Sequence, residues 1–268
     1  MATDLAGAFE RTVEEGADRL ERTWPRLLAT GSVGGIDVGI GVLALLLVQG
    51  LTHSRAAASL AFGVGFVALT LANSELFTEN FLVPIAAVTA GRARPLAVLR
   101  LWAGTLATNL LGGWVLMAIV VAGLPQVRPI AVHLGAHFAA AGVGTRSFAT
   151  AVLGGCVITL MTWMERGTDS TLGKLVAAVG TAFLLAAGSL NHAIVMSLEM
   201  FAGLQAGAHY GYGTWAQDLG WAVFGNLVGG IGLVTVLRLV QVGSTHIQEA
   251  REQSRRDMEV EVPGGPTS

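Results

Sequence analysis

The sequence has 268 residues, of which 53% are hydrophobic and only 13% are charged. A soluble domain carries about 25% charged residues, so this composition excludes a water-soluble enzyme, a nucleic-acid-binding protein and a disordered chain. The net charge of −2 indicates no polyanionic partner, and the single cysteine forms no internal disulfide. The 36 glycines fit a membrane helix bundle, where small residues let helices pack closely. The composition therefore predicts an integral membrane protein.

The first predicted domain, residues 1–29, is an amphipathic helix on the cytoplasmic side. Apolar residues such as Phe9, Val13 and Leu20 recur at helical spacing until Pro25 ends the pattern. This helix is expected to lie on the membrane surface or on a neighbouring subunit. Simple anchoring and gating of a pore are equally good interpretations of the pattern.

The second predicted domain, residues 30–243, contains six apolar segments long enough to cross a bilayer. The second segment, 56–90, and the fifth, 172–203, are interrupted by polar residues at 74–80 and 188–192. As a straight helix, each would be roughly 50 Å long, which is too long for one crossing. We therefore predict two half-helices joined by a non-helical link in each. The uninterrupted segments comprise residues 34–51, 101–125, 147–164 and 219–237.

Basic residues predict the orientation of the segments. When the N-terminus is placed inside, 13 of the 16 Lys and Arg residues fall on the cytoplasmic side, and the other three are Arg55, Arg128 and Arg146. Both termini are therefore predicted to be cytoplasmic. The third predicted domain, residues 244–268, is rich in charge and is expected to be disordered.

An internal repeat predicts the fold class. The sequence Asn-Leu-Leu-Gly-Gly in the third segment corresponds to Asn-Leu-Val-Gly-Gly in the sixth. Two sets of three segments, each with a broken middle member, have opposite orientations in the membrane, and their breaks mark a substrate path near the midplane. The prediction is an all-α integral membrane protein of two inverted three-helix repeats. The predicted helix-packing residues are Asn109, Gly112, Gly113, Asn226, Gly229 and Gly230.

Polar residues at the two breaks are the candidate functional groups, because polar groups are costly to bury in a membrane. A titratable imidazole at His192 favours proton exchange, and the alternative is a histidine that only closes the break. Thr78 is interpreted as the matching hydroxyl on the other break and as a cap for the half-helix that follows. Half-helix dipoles directed at the midplane favour a small anion. Ser74 and Glu75 are predicted to hold the loop.

The residues at these positions resemble a known family. The sequence Ser-Glu-Leu-Phe-Thr at 74–78 resembles the (D/E)-L-F-T loop of the formate/nitrite transporter family. Residues 187–192 and 225–230 are similar to its histidine segment and its sixth helix, and the likeness covers about residues 30–243. The resemblance implies an aquaporin-like protomer, a homopentamer with one pore per protomer in the inner membrane, and passage of formate or nitrite in a channel-like or proton-linked manner.

The resemblance also implies roles for individual residues. His192 corresponds to the proton-exchanging histidine, Thr78 to the loop threonine, and Asn191 lies beside them in the substrate path. The residues of the two apolar constrictions are Phe62 and Leu185 on the outer side, and Leu76, Phe77, Phe66 and Ile158 on the inner side.

This sequence departs from the family pattern at several positions. Asn73 and Glu79 stand where a glycine and a small residue are usual, and Asn191 replaces a glutamate. Ala139 occupies the place of a lysine in the outer vestibule, and Gly155 the place of an asparagine.

The predicted function is transport of small monovalent anions or weak acids, with protons, the lipid bilayer and other copies of the chain as partners. A channel for neutral solutes is the alternative, and its flux would be independent of pH. An intramembrane enzyme is a remote third, because Ser189 is the only nucleophile near His192 in the sequence. The sequence contains no motif for metal, nucleotide or acyl-transfer chemistry, so neither a cofactor nor catalytic residues are predicted.

Overall fold

The computed structural model describes residues 5–261, with side chains described through residue 256. The described residues form helices and contain no β-strand. The helices of the first half are α1 Leu5–Glu21, α2 Trp24–Thr52, α3 Arg55–Ala72, a 3-10 helix Phe77–Phe81, α4 Val83–Thr89 and α5 Pro95–Gly123. Those of the second half are α6 Arg128–Ala141, α7 Thr145–Arg166, α8 Thr171–Ala187, α9 Ala193–Gln205, α10 Tyr212–Leu227, α11 Val236–Val242 and α12 Ser244–Glu261.

The two repeats have the same order of elements. Among the described residues, five helices are long and apolar enough to cross a membrane, and the last of them runs without interruption from α10 through a π-helical stretch to α11. The fifth segment is assembled from the shorter apolar helices α8 and α9. A break follows α3 in the first repeat and α8 in the second, which confirms the predicted fold class with broken second and fifth helices.

Backbone geometry at the breaks is also repeated. Asn73 follows α3 with a φ of 51°, and Ser189 lies in the break after α8 with a φ of 44°. Asparagine adopts this left-handed conformation more readily than most non-glycine residues, because its side chain hydrogen-bonds locally. Asn73 therefore accommodates the turn where the family pattern has glycine.

The N-terminal helix α1 packs on its own chain. Phe9 and Val13 are buried in an apolar cluster with Leu82, Ala86 and Trp163. This differs from the expected contact with lipid or a neighbouring subunit, because α4 supplies an apolar surface within the same chain. Residues 1–4 lie outside the described residues.

Pro25 lies at the start of the next helix and does not end a helical pattern. It occupies the first turn of α2, where its missing N–H costs no helical hydrogen bond. The first membrane-spanning helix therefore starts at Trp24, earlier than the apolar pattern predicts.

The segment after residue 243 is helical where the sequence predicts disorder. Helix α12 covers Ser244–Glu261, and Arg251 donates to the backbone oxygen of Thr89 at 2.7 Å. Ser254 donates to the oxygen of Gly91 at 3.2 Å. These contacts dock α12 against the end of α4, which composition alone does not reveal. Residues 262–268 of the predicted tail lie outside the described residues.

Candidate transport site

Two asparagines position the two breaks in the same way. Asn109 on α5 donates to the backbone oxygens of Gly31 and Glu75 at 2.7 and 2.8 Å, and its side-chain oxygen accepts from the N–H of Phe77 at 2.8 Å. The amide of Asn109 thus satisfies backbone groups of Glu75 and Phe77 that the break leaves without helical partners.

Asn226 on the sixth segment repeats this pattern. It donates to the oxygens of Ala151 and Asn191 at 2.7 and 3.0 Å and accepts from the N–H of Ala193 at 2.9 Å. The two asparagines are fully buried and link the long helices to the breaks.

The repeated glycines let helix backbones approach one another. A Cβ on Gly112 would clash with the backbone oxygen of Ser32, and one on Gly229 would clash with that of Val152. Gly113 instead faces the side chain of Leu198 in the opposite repeat, and Gly230 faces those of Thr159 and Phe81.

The asparagine contacts also define the register of the repeat. Asn109 donates to the backbone oxygen of Glu75, and Asn226 donates to that of Asn191, so Glu75 and Asn191 occupy equivalent positions in the two repeats. The equivalent of His192 is therefore Leu76 and not Thr78. The interpretation of Thr78 as the matching hydroxyl was therefore wrong by two residues. The two side chains meet because the breaks converge from opposite repeats.

Thr78 and His192 form a buried hydrogen-bonded pair. Thr78 Oγ1 lies 2.7 Å from His192 Nε2, and both side chains are fully buried. His192 is also the N-cap of α9, where its Nδ1 accepts from the N–H of Val195 at 3.3 Å. Because Nδ1 is an acceptor, the neutral imidazole carries its proton on Nε2 and donates to Thr78. The Thr78 hydroxyl has no second partner among the described side chains, so its hydrogen is available to a passing molecule.

Apolar side chains surround this pair. The six residues predicted for the constrictions are at most 2% exposed and belong to one apolar cluster: Phe62, Phe66, Leu76, Phe77, Ile158 and Leu185. The rings of Phe62 and Phe66 lie 5.5 Å apart. An ion without its hydration shell would be costly to place among these side chains.

A vestibule on the side of α6 consists of two adjoining cavities of about 330 and 470 Å³. Both are lined by Arg55, His137 and Ser189, and Arg55 donates to Ser189 Oγ at 2.6 Å. Asn191 and Arg146 line the larger cavity, and Asn191 Oδ1 is buried without a partner. The pKa of His137 is lowered by burial and then by the charges of Arg55 and Arg146, so at neutral pH the positive charge of this vestibule comes from the arginines.

A cavity of about 410 Å³ on the side of α1 is lined mainly by charged residues. Arg19 reaches from α1 to the loop of the first break, where it bonds Asn80 at 3.0 Å and Glu79 at 3.2 Å. Arg19 also pairs with Glu15 at 2.5 Å. Burial alone would raise the pKa of Glu15, but Arg19 and Arg166 outweigh it and lower that pKa. Glu15 and Glu79 at this mouth are therefore paired with arginines.

The loop residues Glu75 and Ser74 have side-chain partners. Glu75 accepts from Arg22 and, at 2.7 Å, from Asn80. Ser74 donates to Asp37 at 2.5 Å. These contacts suit the predicted loop-holding roles, with side chains and not backbone amides satisfying the carboxylate.

Sequence reasoning missed the arginines that contact the breaks. Arg19 lies 60 residues before Glu79, and Arg55 lies 134 residues before Ser189. The one signal in the sequence is Glu79, a carboxylate where the family has a small residue, which requires a cation nearby.

The comparisons with known proteins identify the family and the fold. The family described as formate/nitrite transporter matches residues 6–240. The chain belongs to the formate/nitrite transporter family. This confirms the resemblance on which the site residues were assigned.

Relatives of the formate/nitrite transporter family match most of the chain. The inner membrane protein YfdC of Escherichia coli (strain K12) is 24% identical over 264 residues, covering 93% of this chain and 83% of that protein. A solved FNT family ion channel superimposes with a TM-score of 0.76 at 18% identity, covering 87% of this chain and 98% of that one. A pentameric formate channel with formate bound gives a TM-score of 0.65 at 19% identity, covering 81% and 96%. The fold of this chain is therefore the aquaporin-like fold of the family's channels.

Proposed function

We propose that this member of the formate/nitrite transporter family passes small monovalent anions or their weak acids, such as formate or nitrite, through a pore in each protomer. The observation that carries the proposal is the Thr78–His192 pair, 2.7 Å apart, where the two breaks converge. These two polar side chains lie next to an apolar cluster. Vestibules lined by charged residues lie on the α6 side and on the α1 side of the protein.

Arg55 is proposed as the residue that draws the anion into the α6-side vestibule. Its guanidinium lines both cavities there, and Arg146 adds a second charge. A guanidinium stays charged at all relevant pH values. Arg55 thus replaces, in function, the vestibule lysine of the family. The sequence has Ala139 at the position of that lysine. The unpartnered oxygen of Asn191 is a further polar contact for the protonated acid.

Crossing the apolar constrictions favours the neutral acid, because a bare charge in low dielectric costs several kcal/mol or more. We propose that the neutralising proton comes from His192 or from water ordered by the pair. When His192 gives its Nε2 proton to the anion, Nε2 regains a proton from water on the external side, because a neutral ring that only lost this proton would become an imidazolate anion. Nδ1 meanwhile keeps the bond that caps α9. The resulting transport is proton-linked.

The assembly and location belong to the same proposal. The distribution of basic residues supports an arrangement with both termini in the cytoplasm, so that the α6-side vestibule faces outward. The relative from Escherichia coli supports the inner membrane, and the pentameric relative supports a homopentamer.

The test is formate uptake by the full chain in proteoliposomes, measured by stopped flow at several external pH values. Wild-type flux is expected to rise as the external pH falls, and His192→Ala is expected to lose that dependence. Full pH-dependent uptake by the alanine variant would contradict proton exchange at His192.

A channel for neutral solutes is the second candidate, because Thr78 and His192 form a neutral pair that offers hydrogen bonds without a formal charge. Flux independent of both pH and membrane potential would favour it over anion transport.

A further inference from the structure

A buried carboxylate lines the vestibule through which the anion is proposed to enter. Glu199 on α9 is 6% exposed and lines the 330 Å³ cavity together with Arg55, His133 and His137. Its position is two helical turns, about 10 Å, beyond His192 along the same face of α9. A negative charge here opposes an anion, so the residue calls for a physical explanation.

The other buried glutamates among residues 5–256 have side-chain partners. Glu75 pairs with Arg22, Glu79 pairs with Arg19, and Glu165 accepts from Thr70 at 2.9 Å. Glu199, by contrast, makes no side-chain hydrogen bond and no ion pair with any residue whose side chain the structure describes. It therefore contributes no structural link of the kind the other three provide, and its carboxyl is free to exchange a proton with the vestibule.

Helix α6 faces Glu199 closely and contributes two titratable groups. A Cβ built on Gly135 would lie 3.0 Å from the backbone oxygen of Glu199, so α6 and α9 touch at this level. His133 and His137 flank Gly135 and line the same cavity.

The remaining elements contribute one cation and one phenol. Arg55 from α3 is the charge that acts on Glu199. Tyr210 follows α9 and donates to the oxygen of Met200 at 2.7 Å; its pKa is raised by burial and by the charge of Glu199. Helix α2 contributes only the uncharged Leu45 and Gln49, and α5 contributes no lining residue. Asp218 on α10 is buried but does not line this cavity.

We propose that Glu199 makes anion capture by this vestibule dependent on its protonation. When Glu199 is ionised, its charge offsets that of Arg55 and repels an incoming anion. When Glu199 is protonated, the positive charge of Arg55 is unopposed and the anion is held at the entrance. This inference rests on the proposed function, because it assigns an acid-controlled entrance to the same pore.

The kinetic test compares the KM for formate at external pH values between about 5 and 8. A unit charge within about 12 Å, at an effective dielectric of about 20, changes affinity about tenfold. Wild-type KM is therefore expected to rise about tenfold with pH. In Glu199→Gln, KM stays at its low acid value throughout. Asp218→Asn, a change at a carboxyl outside the cavity, keeps the wild-type profile.

Two results would overturn the inference. The first is that Glu199→Gln retains the full rise of KM with pH. The second is that the double variant with His133→Gln and His137→Gln loses this rise while Glu199→Gln keeps it. The histidines would then control capture. Complete absence of formate uptake by the wild-type protein would instead contradict the proposed function.

A second measurement needs no transport. Because coupling between two bound species is reciprocal, an anion that binds better to the protonated form must itself increase protonation. Infrared difference spectra of wild-type protein should show more protonated carboxyl when nitrite is added at constant pH, and Glu199→Gln should lack this signal. No nitrite-dependent signal in the wild-type protein would also refute the coupling.

Discussion

The amide of Asn226 offers the sharpest test of how the site is built. Replacing it with leucine preserves approximate volume but removes three hydrogen bonds, to Ala151, Asn191 and Ala193. Ala151 lies within α7 and keeps its helical environment. The oxygen of Asn191 and the N–H of Ala193 lie at the break, and both would be left buried without partners.

The magnitude follows from these two orphaned groups. Each costs about 1–3 kcal/mol, so Asn226→Leu is expected to destabilise the protein by about 4 kcal/mol. For a chain of this size, that corresponds to a fall in Tm of about 8–16 °C. The break carries His192, so formate uptake should be lost as well.

The assay is thermal unfolding of the detergent-solubilised protein, followed by uptake measurements on reconstituted samples. Gln205→Leu is the control, since it removes a single hydrogen bond of 3.1 Å to Trp114 at the end of α9. That change should cost less than about 1.5 kcal/mol and leave uptake intact. A Tm for Asn226→Leu within about 3 °C of wild type would refute the reasoning that this amide holds the break.

Three further predictions concern the Thr78–His192 pair and the mouth on the side of α1. Thr78→Val should leave the Nε2–H of His192 unpartnered and reduce formate flux at least tenfold, whereas Thr78→Ser should retain it; equal flux in both variants would contradict a role for the hydroxyl. Arg19→Met should destabilise the protein by about 3–5 kcal/mol in thermal unfolding, because Glu79 is left buried without its cation, and adding Glu79→Gln should restore part of the loss. Failure of the second change to recover any stability would show that this ion pair is unimportant. The lowered pKa of Glu15 means that its ion pairs stabilise the fold above pH 4.5 and that this contribution is lost as pH falls through the lowered value. The Tm difference between wild type and Glu15→Gln should therefore vanish in acid, and a constant difference would argue against the assignment.

Local chemistry explains why the spans and breaks could be predicted. Polar interruptions at 74–80 and 188–192 cannot continue as lipid-exposed apolar helix, and the structure breaks at both. The likeness between residues 109–113 and 226–230 predicted the repeat, because the same asparagine-glycine pattern serves equivalent breaks.

Other features required the structure. Disorder was predicted for residues 244–268, whereas Ser244–Glu261 form a charged helix with contacts to Thr89 and Gly91, far away in sequence. The repeat register was likewise beyond the sequence, since it depends on which backbone groups each asparagine contacts.

By itself, the sequence determined that this protein is a six-segment membrane bundle with two breaks and a histidine on one of them. These properties follow from the free energy of placing polar side chains and unpaired backbone groups in hydrocarbon, to which each residue contributes separately. Only the tertiary structure decided that Thr78 meets His192 and that Glu199 shares a cavity with Arg55. It also decided that Arg19 on α1 and Arg22 just after α1 pair with the loop carboxylates. Such contacts join residues from separate helices, and charge partners are chosen by packing and not by distance along the chain.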